Sequence, residues 1–390
     1  MIELLAPAGN LEKLKIAILY GADAVFIGGK EFSLRSRASN FSLDDIKEGC
    51  EFAHKHNAKV HVTTNILPHN NNLEGLKDYL ISLEKCGVDA IICASLYIMT
   101  TALKYTNLEV HVSTQDSVAN AEAINFYKSI GCKRVVLARE VSLEELKDIR
   151  SKTDMDIEVF IHGGMCSSYS GRCMLSNEMS NRDANRGGCA HSCRWNYDLI
   201  DNGKNINEGN YFSLASKDLC ALKFIPDFID NNITSLKIEG RMKSTHYIAT
   251  VVNAYRRAID EYYKFKTINY EKYDFMIKKA ENRLTSIGFY NGDPGINEHL
   301  YINFGEEPSQ EYVGDVLDYS DGYMIMEVKN YFTSNDTLEI LSPKEELRSF
   351  KITEILNSDN EVIDICNHPN EIVKIKVPFS VLKNDFVRKL

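Results

Sequence analysis

Gly21-Ala-Asp-Ala-Val-Phe-Ile-Gly28 is the stretch that decides the fold. It follows a run with helical spacing and passes directly into a short run of β-branched and aromatic residues. Gly21 stands where a left-handed residue ends a helix. This helix-to-strand joint is the repeating unit of an α/β protein. Working outward, Glu3–Leu5, Ala24–Ile27, Lys59–Thr63, Asp89–Cys93, Glu109–Val112, Arg134–Ala138, Glu158–Ile161 and Ser235–Ile238 make eight such short runs. Each reads as a parallel strand buried on both faces. Helical patterns lie near residues 10–20, 43–57, 73–87, 96–105, 119–130, 143–151 and 217–231. Asn10, Ser42 and Ser142 occupy N-cap positions, and Glu145 follows Ser142 at capping-box spacing.

Eight strand–helix units predict a TIM-type (β/α)8 barrel of about 250 residues. An open doubly wound sheet is the alternative. It is disfavoured because the count reaches eight and no glycine-rich dinucleotide fingerprint follows the first strand. The barrel is assigned to residues 1–265, with a cysteine-rich insertion at 162–233 after strand 7. Barrel enzymes place their chemistry at that end of the strands. Two helices are expected at about 245–264 and 270–286, the second within a helical connector over 266–305. Short alternating runs then make 306–390 a small all-β barrel domain.

The 390 residues carry a net charge of −10. Residues 306–390 hold 17 acids against 9 bases, so the acidity belongs to the tail and the barrel is almost neutral. A uniformly basic surface is excluded, but a local basic face is not. Two clusters supply one: Arg172, Arg182, Arg186 and Arg194 in the insertion, and Lys237, Arg241, Lys243, Arg256 and Arg257 beyond it. The N-terminus has no signal-peptide pattern and no run spans a membrane, so a cytoplasmic protein is expected. In that compartment ten cysteines are not a disulfide framework.

Five of the ten lie in the insertion. Six residues separate Cys166 from Cys173, fifteen separate Cys173 from Cys189, and three separate Cys189 from Cys193. Four thiols among glycines and arginines suit a metal centre. Zinc sites pair cysteines two to four apart, twice, and only Cys189 and Cys193 do so here. The wide first spacing favours an iron–sulfur cluster, with zinc or unligated thiols as alternatives. Cys220 is a fifth candidate, read instead as a buried helical residue. Cys50, Cys86, Cys93, Cys132 and Cys366 read as small core residues.

Glu158-Val-Phe-Ile-His-Gly-Gly-Met-Cys166 through Cys173 and Ser176 resembles the signature of the collagenase-like peptidase family U32. Gly164 departs from it, standing where Ser or Ala is usual. Leu5-Ala-Pro-Ala-Gly9, Gly21-Ala-Asp-Ala24, Arg182-Asp-Ala-Asn-Arg186, Cys193-Arg-Trp195 and Lys237-Ile-Glu-Gly-Arg241 extend the resemblance over the whole chain. The resemblance implies an oxygen-independent hydroxylase rather than a protease. It implies a 4Fe–4S cluster on Cys166, Cys173, Cys189 and Cys193. The Cys189/Cys193 pair favours the RNA branch over the quinone branch. That branch implies tRNA as partner, prephenate as oxygen donor, and 5-hydroxyuridine at the wobble position as product. A heteromer with a shorter paralogue is also implied; no DNA or membrane partner is. The peptidase activity in the family's name and hydroxylation of rRNA are the competing functions. No His-Glu-x-x-His helix and no Gly-x-Ser-x-Gly elbow occurs to support a peptidase.

Strand ends nominate Asn65, Gln115, Arg139, His162, Glu239 and Arg241 as the remaining site residues. Arg139 and Arg241 suit the carboxylates of a donor such as prephenate. Glu239 is an acid/base candidate, or else a structural partner of Arg241. His162 is a base or ligand candidate, or else a satisfied buried histidine. Trp195 is a stacking candidate for a flipped base, or else packing.

Overall fold

The computed structural model describes residues 1–34, 40–207, 209, 211–280, 283–302, 311–343 and 345–390. Eight strands run parallel: β1 (Glu3–Pro7), β2 (Ala24–Gly28), β3 (Lys59–Thr63), β4 (Ala90–Cys93), β5 (Glu109–Val112), β6 (Arg134–Val136), β7 (Asp156–Gly163) and, after the insertion, Ser235–Ile238. Each pairs with the next, and Ser235–Ile238 pairs with both β7 (Ser235 beside Glu158) and β1 (Lys237 beside Leu5). The barrel is therefore closed. Helices α1 (Leu11–Leu19), α2 (Leu43–Lys55), α3 (Leu76–Lys85), α4 (Leu96–Tyr105), α5 (Ala121–Ser129) and α6 (Leu143–Lys152) join the first seven strands. The expected caps form: Asn10 accepts from the Lys13 N–H, and Ser142 and Glu145 close a capping box, as do Ser42 and Asp45. Gly21 has φ +111°, which ends α1 as its position demanded.

The insertion carries α7 (Leu175–Ser180), a hairpin of β8 (Ile200–Asp201) and β9 (Lys204–Asn205), then β10 (Phe212–Ser216), β11 (Asp218–Cys220) and α8 (Ile225–Asp230). The single helix expected at 217–231 is thus corrected. Its first residues are β11, which runs antiparallel to β7 and places Cys220 beside His162. The returning barrel strand Ser235–Ile238 becomes β12, and α9 (Thr245–Phe265) follows it. The second expected helix, α10, is short (Tyr270–Lys278). Beyond it β13 (Thr285–Ser286) pairs with β11 and β14 (His299–Ile302) pairs with β10, so this segment packs back onto the insertion. The 305/306 boundary lies outside the described residues.

The tail is an antiparallel sheet. Its strands are β15 (Tyr312–Ser320), β16 (Tyr323–Val328), β17 (Phe332–Thr333), β18 (Thr337–Leu341), β19 (Arg348–Lys351), β20 (Ile355–Leu356), β21 (Ile365–Cys366), β22 (Ile372–Lys376) and β23 (Phe386–Lys389). Seven form one sheet in the order β19-β18-β23-β15-β16-β22-β20. The tail docks on the barrel. The Tyr20 hydroxyl donates to the Leu341 and Asn384 carbonyls, each at 2.9 Å, and the His246 ring stacks on Tyr312 at 4.5 Å. No described helix is long and apolar enough to cross a membrane.

Candidate functional site

The C-terminal mouth of the barrel is built on glycines that let the loop after β12 lie against it. A Cβ at Gly9 would stand 2.2 Å from the Arg241 carbonyl oxygen, and one at Gly163 would stand 2.3 Å from the Glu239 carbonyl oxygen. A Cβ at Gly28 would stand 1.9 Å from Arg241 Nη1. Real Cβ contacts are essentially never so close; at Gly9 and Gly163 the obstacle is backbone, while at Gly28 it is the end of the Arg241 side chain, which a Cβ would displace. The Arg241 side chain is held in the mouth, 4% exposed, with Nη2 3.5 Å from Ser33 Oγ. Ser33 Oγ in turn lies 3.1 Å from Thr63 Oγ1 at the end of β3.

Asn65 and Gln115 come together. Asn65 Nδ2 donates to Gln115 Oε1 at 2.9 Å, and Ser113 Oγ donates to the same oxygen. The cysteine loop is tied to this pair: Arg172 Nε donates to the Gln115 carbonyl at 3.0 Å and Arg172 Nη2 pairs with Asp116 at 3.3 Å. Arg139 stacks its guanidinium 3.9 Å over the Phe160 ring and lies in electrostatic reach of Cys166.

His162 lies elsewhere. Its ring is buried against Tyr247 and Tyr255 of α9, with Nδ1 3.3 Å from the Tyr255 hydroxyl. Burial, and then Lys243, push it down to about 3, so it is neutral and serves the packing of α9. The same Tyr255 hydroxyl lies 3.7 Å from Cys220 Sγ. Glu239 is half-buried, and its N–H donates to the His162 carbonyl at 2.8 Å.

All ten cysteines are free. Cys166 is half-buried three residues past β7, with the Ser168 N–H directed at its sulfur. Burial pushes its thiol up; Cys193 and Cys173 are near enough to add to that, while Arg139 opposes it. Asn185 braces the next turn, accepting from the Cys173 N–H at 3.3 Å and donating to the Cys173 carbonyl at 3.1 Å. Ser176 accepts from the Ala190 N–H at 3.1 Å beside the exposed Cys189. Ser213 Oγ donates to the Cys193 carbonyl at 3.4 Å. A tetrahedral ion held by four thiolates at about 2.3 Å needs its sulfurs about 3.8 Å apart. Among the described residues no group of three His, Cys, Asp or Glu side chains is placed to hold one ion.

The expected second basic cluster divides. Lys237, Arg256 and Arg257 are committed to Glu158, Asp23 and Glu346, and Lys243 lies 3.9 Å from Asp218, which leaves Arg241 as the member of that group held in the mouth. Lys237 points into the barrel, 2.7 Å from Glu158, which also accepts from Arg134 at 3.2 Å. Arg134 reaches on to Glu3. The sequence reading missed this interior network. Its signal was a single charge in each of four apolar runs: Glu3, Arg134, Glu158 and Lys237.

Residues 9–300 match the model of Peptidase family U32, and residues 308–388 match that of the Peptidase family U32 C-terminal domain. A Bacillus subtilis relative, tRNA hydroxylation protein P1, is 46% identical over 404 residues, covering 99% of this chain and 94% of the relative. A 23S rRNA 5-hydroxycytidine synthase of Escherichia coli is 39% identical, over 66% of this chain and 39% of its own length. A Porphyromonas gingivalis protein named collagenase is 32% identical, over 81% of this chain and 80% of its own.

Proposed function

The chain belongs to peptidase family U32, and from that premise we propose that it hydroxylates RNA: wobble uridine of tRNA, converted to 5-hydroxyuridine without molecular oxygen and with prephenate as oxygen donor. The observation that carries this reading is the likeness to tRNA hydroxylation protein P1, which spans 99% of the chain. The proposed cofactor is a 4Fe–4S cluster on Cys166, Cys173, Cys189 and Cys193. Such a cluster supplies one-electron redox chemistry when bound.

The chain's own side chains have definable tasks. Arg241, fixed by Gly28 and Ser33, offers a guanidinium to a carboxylate at the barrel mouth. Arg139 offers a second from the β6 side, beside Cys166. Asn65 and Gln115 hold the ends of β3 and β5 in register with the cysteine loop. Glu239, next to Arg241 in the chain, is the acid/base candidate; His162 is spent on α9.

Nucleoside mass spectrometry of tRNA from a deletion strain tests the reading. Loss of 5-hydroxyuridine derivatives, restored by the wild-type chain, is expected. Unchanged tRNA with an altered 23S rRNA nucleoside would move the substrate to rRNA. Anaerobic purification is expected to give a brown protein with about four irons per chain. The likeness to the collagenase keeps a peptidase as second reading. Gelatin cleavage by the purified chain, abolished in a folded Cys166→Ala variant, would establish it.

A further inference from the structure

We propose that the cavity beside Cys166 is the pocket for the reacting base, separate from the carboxylate subsite at Arg241. The inference rests on the RNA-hydroxylase reading above. The cavity measures about 490 Å³, within the roughly 300–1,000 Å³ of small-ligand sites. The loop Met165–Tyr169 forms one wall; residues from β10, β14 and the segment between Ser286 and Glu298 form the other.

Its chemistry suits a flat, uncharged ring. Met165, Leu175, Leu214 and Phe289 give apolar and aromatic surface. A base taken out of its stack is held between such groups and read along its hydrogen-bonding edge. Lys217 and His299 lie in the lining as donors for the two uracil carbonyls, and Glu140 and Glu298 as acceptors for its N3–H. With Lys217 against Glu140 and Glu298 the lining carries a net charge of −1, which disfavours a small dianion, whereas Arg241 at the barrel mouth attracts one. The two substrates are thereby sorted by charge to the two sides of the Cys166 loop.

The pocket is braced. Ser170 holds Glu140 by its N–H at 2.7 Å and by its hydroxyl. Ser216 pairs with His299 across β10 and β14, and the Lys217 N–H donates to the Glu298 carbonyl at 3.0 Å. Gly288, at φ +58°, closes the wall on Leu219 and Met165. Tyr169 is 55% exposed and borders the cavity, a platform for a base on its way in. Arg172 lies beyond it with its side chain 55% exposed, in reach of backbone phosphates. Trp195, the stacking candidate from sequence, does not line this cavity.

An anticodon stem-loop carrying 4-thiouridine at the wobble position, photo-crosslinked to the full-length, cluster-loaded protein, tests the assignment. Adducts are expected within residues 165–169, 212–217 and 286–299. Adducts within 28–34, 63–65 or 113–115 would overturn it and place the base at the barrel mouth. Leu214→Trp, which fills the cavity from an exposed position, gives a second arm. Iron content and stem-loop affinity should be retained, while 5-hydroxyuridine in a complemented deletion strain falls about tenfold or more. Full product formation by this variant would sink the pocket. A wild-type chain that neither binds the stem-loop nor restores the nucleoside would instead sink the RNA reading on which it rests.

Discussion

Glu158→Gln probes how the barrel interior is held together. The Glu158 side chain is 0% exposed and accepts from Lys237 Nζ at 2.7 Å and Arg134 Nη1 at 3.2 Å. Arg134 also contacts Glu3, so two carboxylates face two cations inside the barrel. Burial alone would push the Glu158 carboxyl up, but Lys237 and Arg134 outweigh it and hold it below the usual range. The amide keeps the shape and leaves one buried positive charge uncompensated. Removing one partner of a buried pair costs about 3–5 kcal/mol, against a total stability of roughly 5–15 kcal/mol. At about 2 °C per kcal/mol for a large chain, the midpoint should fall by roughly 6–10 °C.

The pH dependence gives the mechanism away. In the wild type the Glu158 carboxyl is held below its usual 4.5, so its contribution is complete above that value and is lost as pH falls below it. The amide does not titrate, so thermal unfolding at neutral and at acid pH, with iron content matched, should show the deficit shrinking as pH falls. Glu158→Gln combined with Lys237→Met removes both charges and should recover most of the loss. A single variant within about 1 kcal/mol of wild type, or a double variant no more stable than the single, would refute the coupling.

Cys166→Ser, Cys173→Ser, Cys189→Ser and Cys193→Ser should each lower iron and sulfide per chain and abolish 5-hydroxyuridine, whereas Cys132→Ser should leave iron unchanged in a colorimetric assay. Gly28→Ala should keep the iron, lose about 1–3 kcal/mol to overpacking, and lose activity, because the new Cβ falls 1.9 Å from Arg241 Nη1; an unimpaired rate would remove Arg241 from the site. At Glu3, burial opposes ionisation but neighbouring charge wins, taking the carboxyl from 4.5 to about 2. Its stabilisation is complete above pH 4.5 and fades as pH falls toward 2, so Glu3→Gln should flatten the acid limb of the unfolding midpoint against pH. Ser142→Ala should cost about 1 kcal/mol in thermal unfolding, since it opens the capping box at the start of α6.

What was legible in the sequence follows from range. Strand runs, caps and the Gly21 turn are set by residues within a few positions of each other, and all eight barrel strands appear where their Val- and Ile-rich runs lie. The four insertion cysteines stand out in the sequence because their spacing is local. Two failures share one cause. Lys217-Asp-Leu-Cys220 reads as helix because it leads into one, yet β11 exists only because the edge of β7 needs a partner there. Phe386–Lys389 holds two cations in four residues, yet β23 sits between β15 and β18 with Arg388 fully buried. Both are pairings across tens of residues, which no local pattern encodes.

The same reasoning explains why the site was half visible. Arg241 was nominated by its place after a strand, but nothing near it in sequence says what fixes it. The answer lies at Gly9 and Gly28, more than two hundred residues earlier, where the missing side chains are the contact. Gly163 does the same for Glu239 from the foot of the cysteine loop. A glycine recognised by what it leaves out has no chemical signature of its own. These three also couple the mouth to the insertion: displacing the loop after β12 at Gly163 moves the backbone that leads to Cys166. The Glu239–Arg241 loop and the cysteine loop are therefore one mechanical unit, and a defect engineered at Gly163 should register at both.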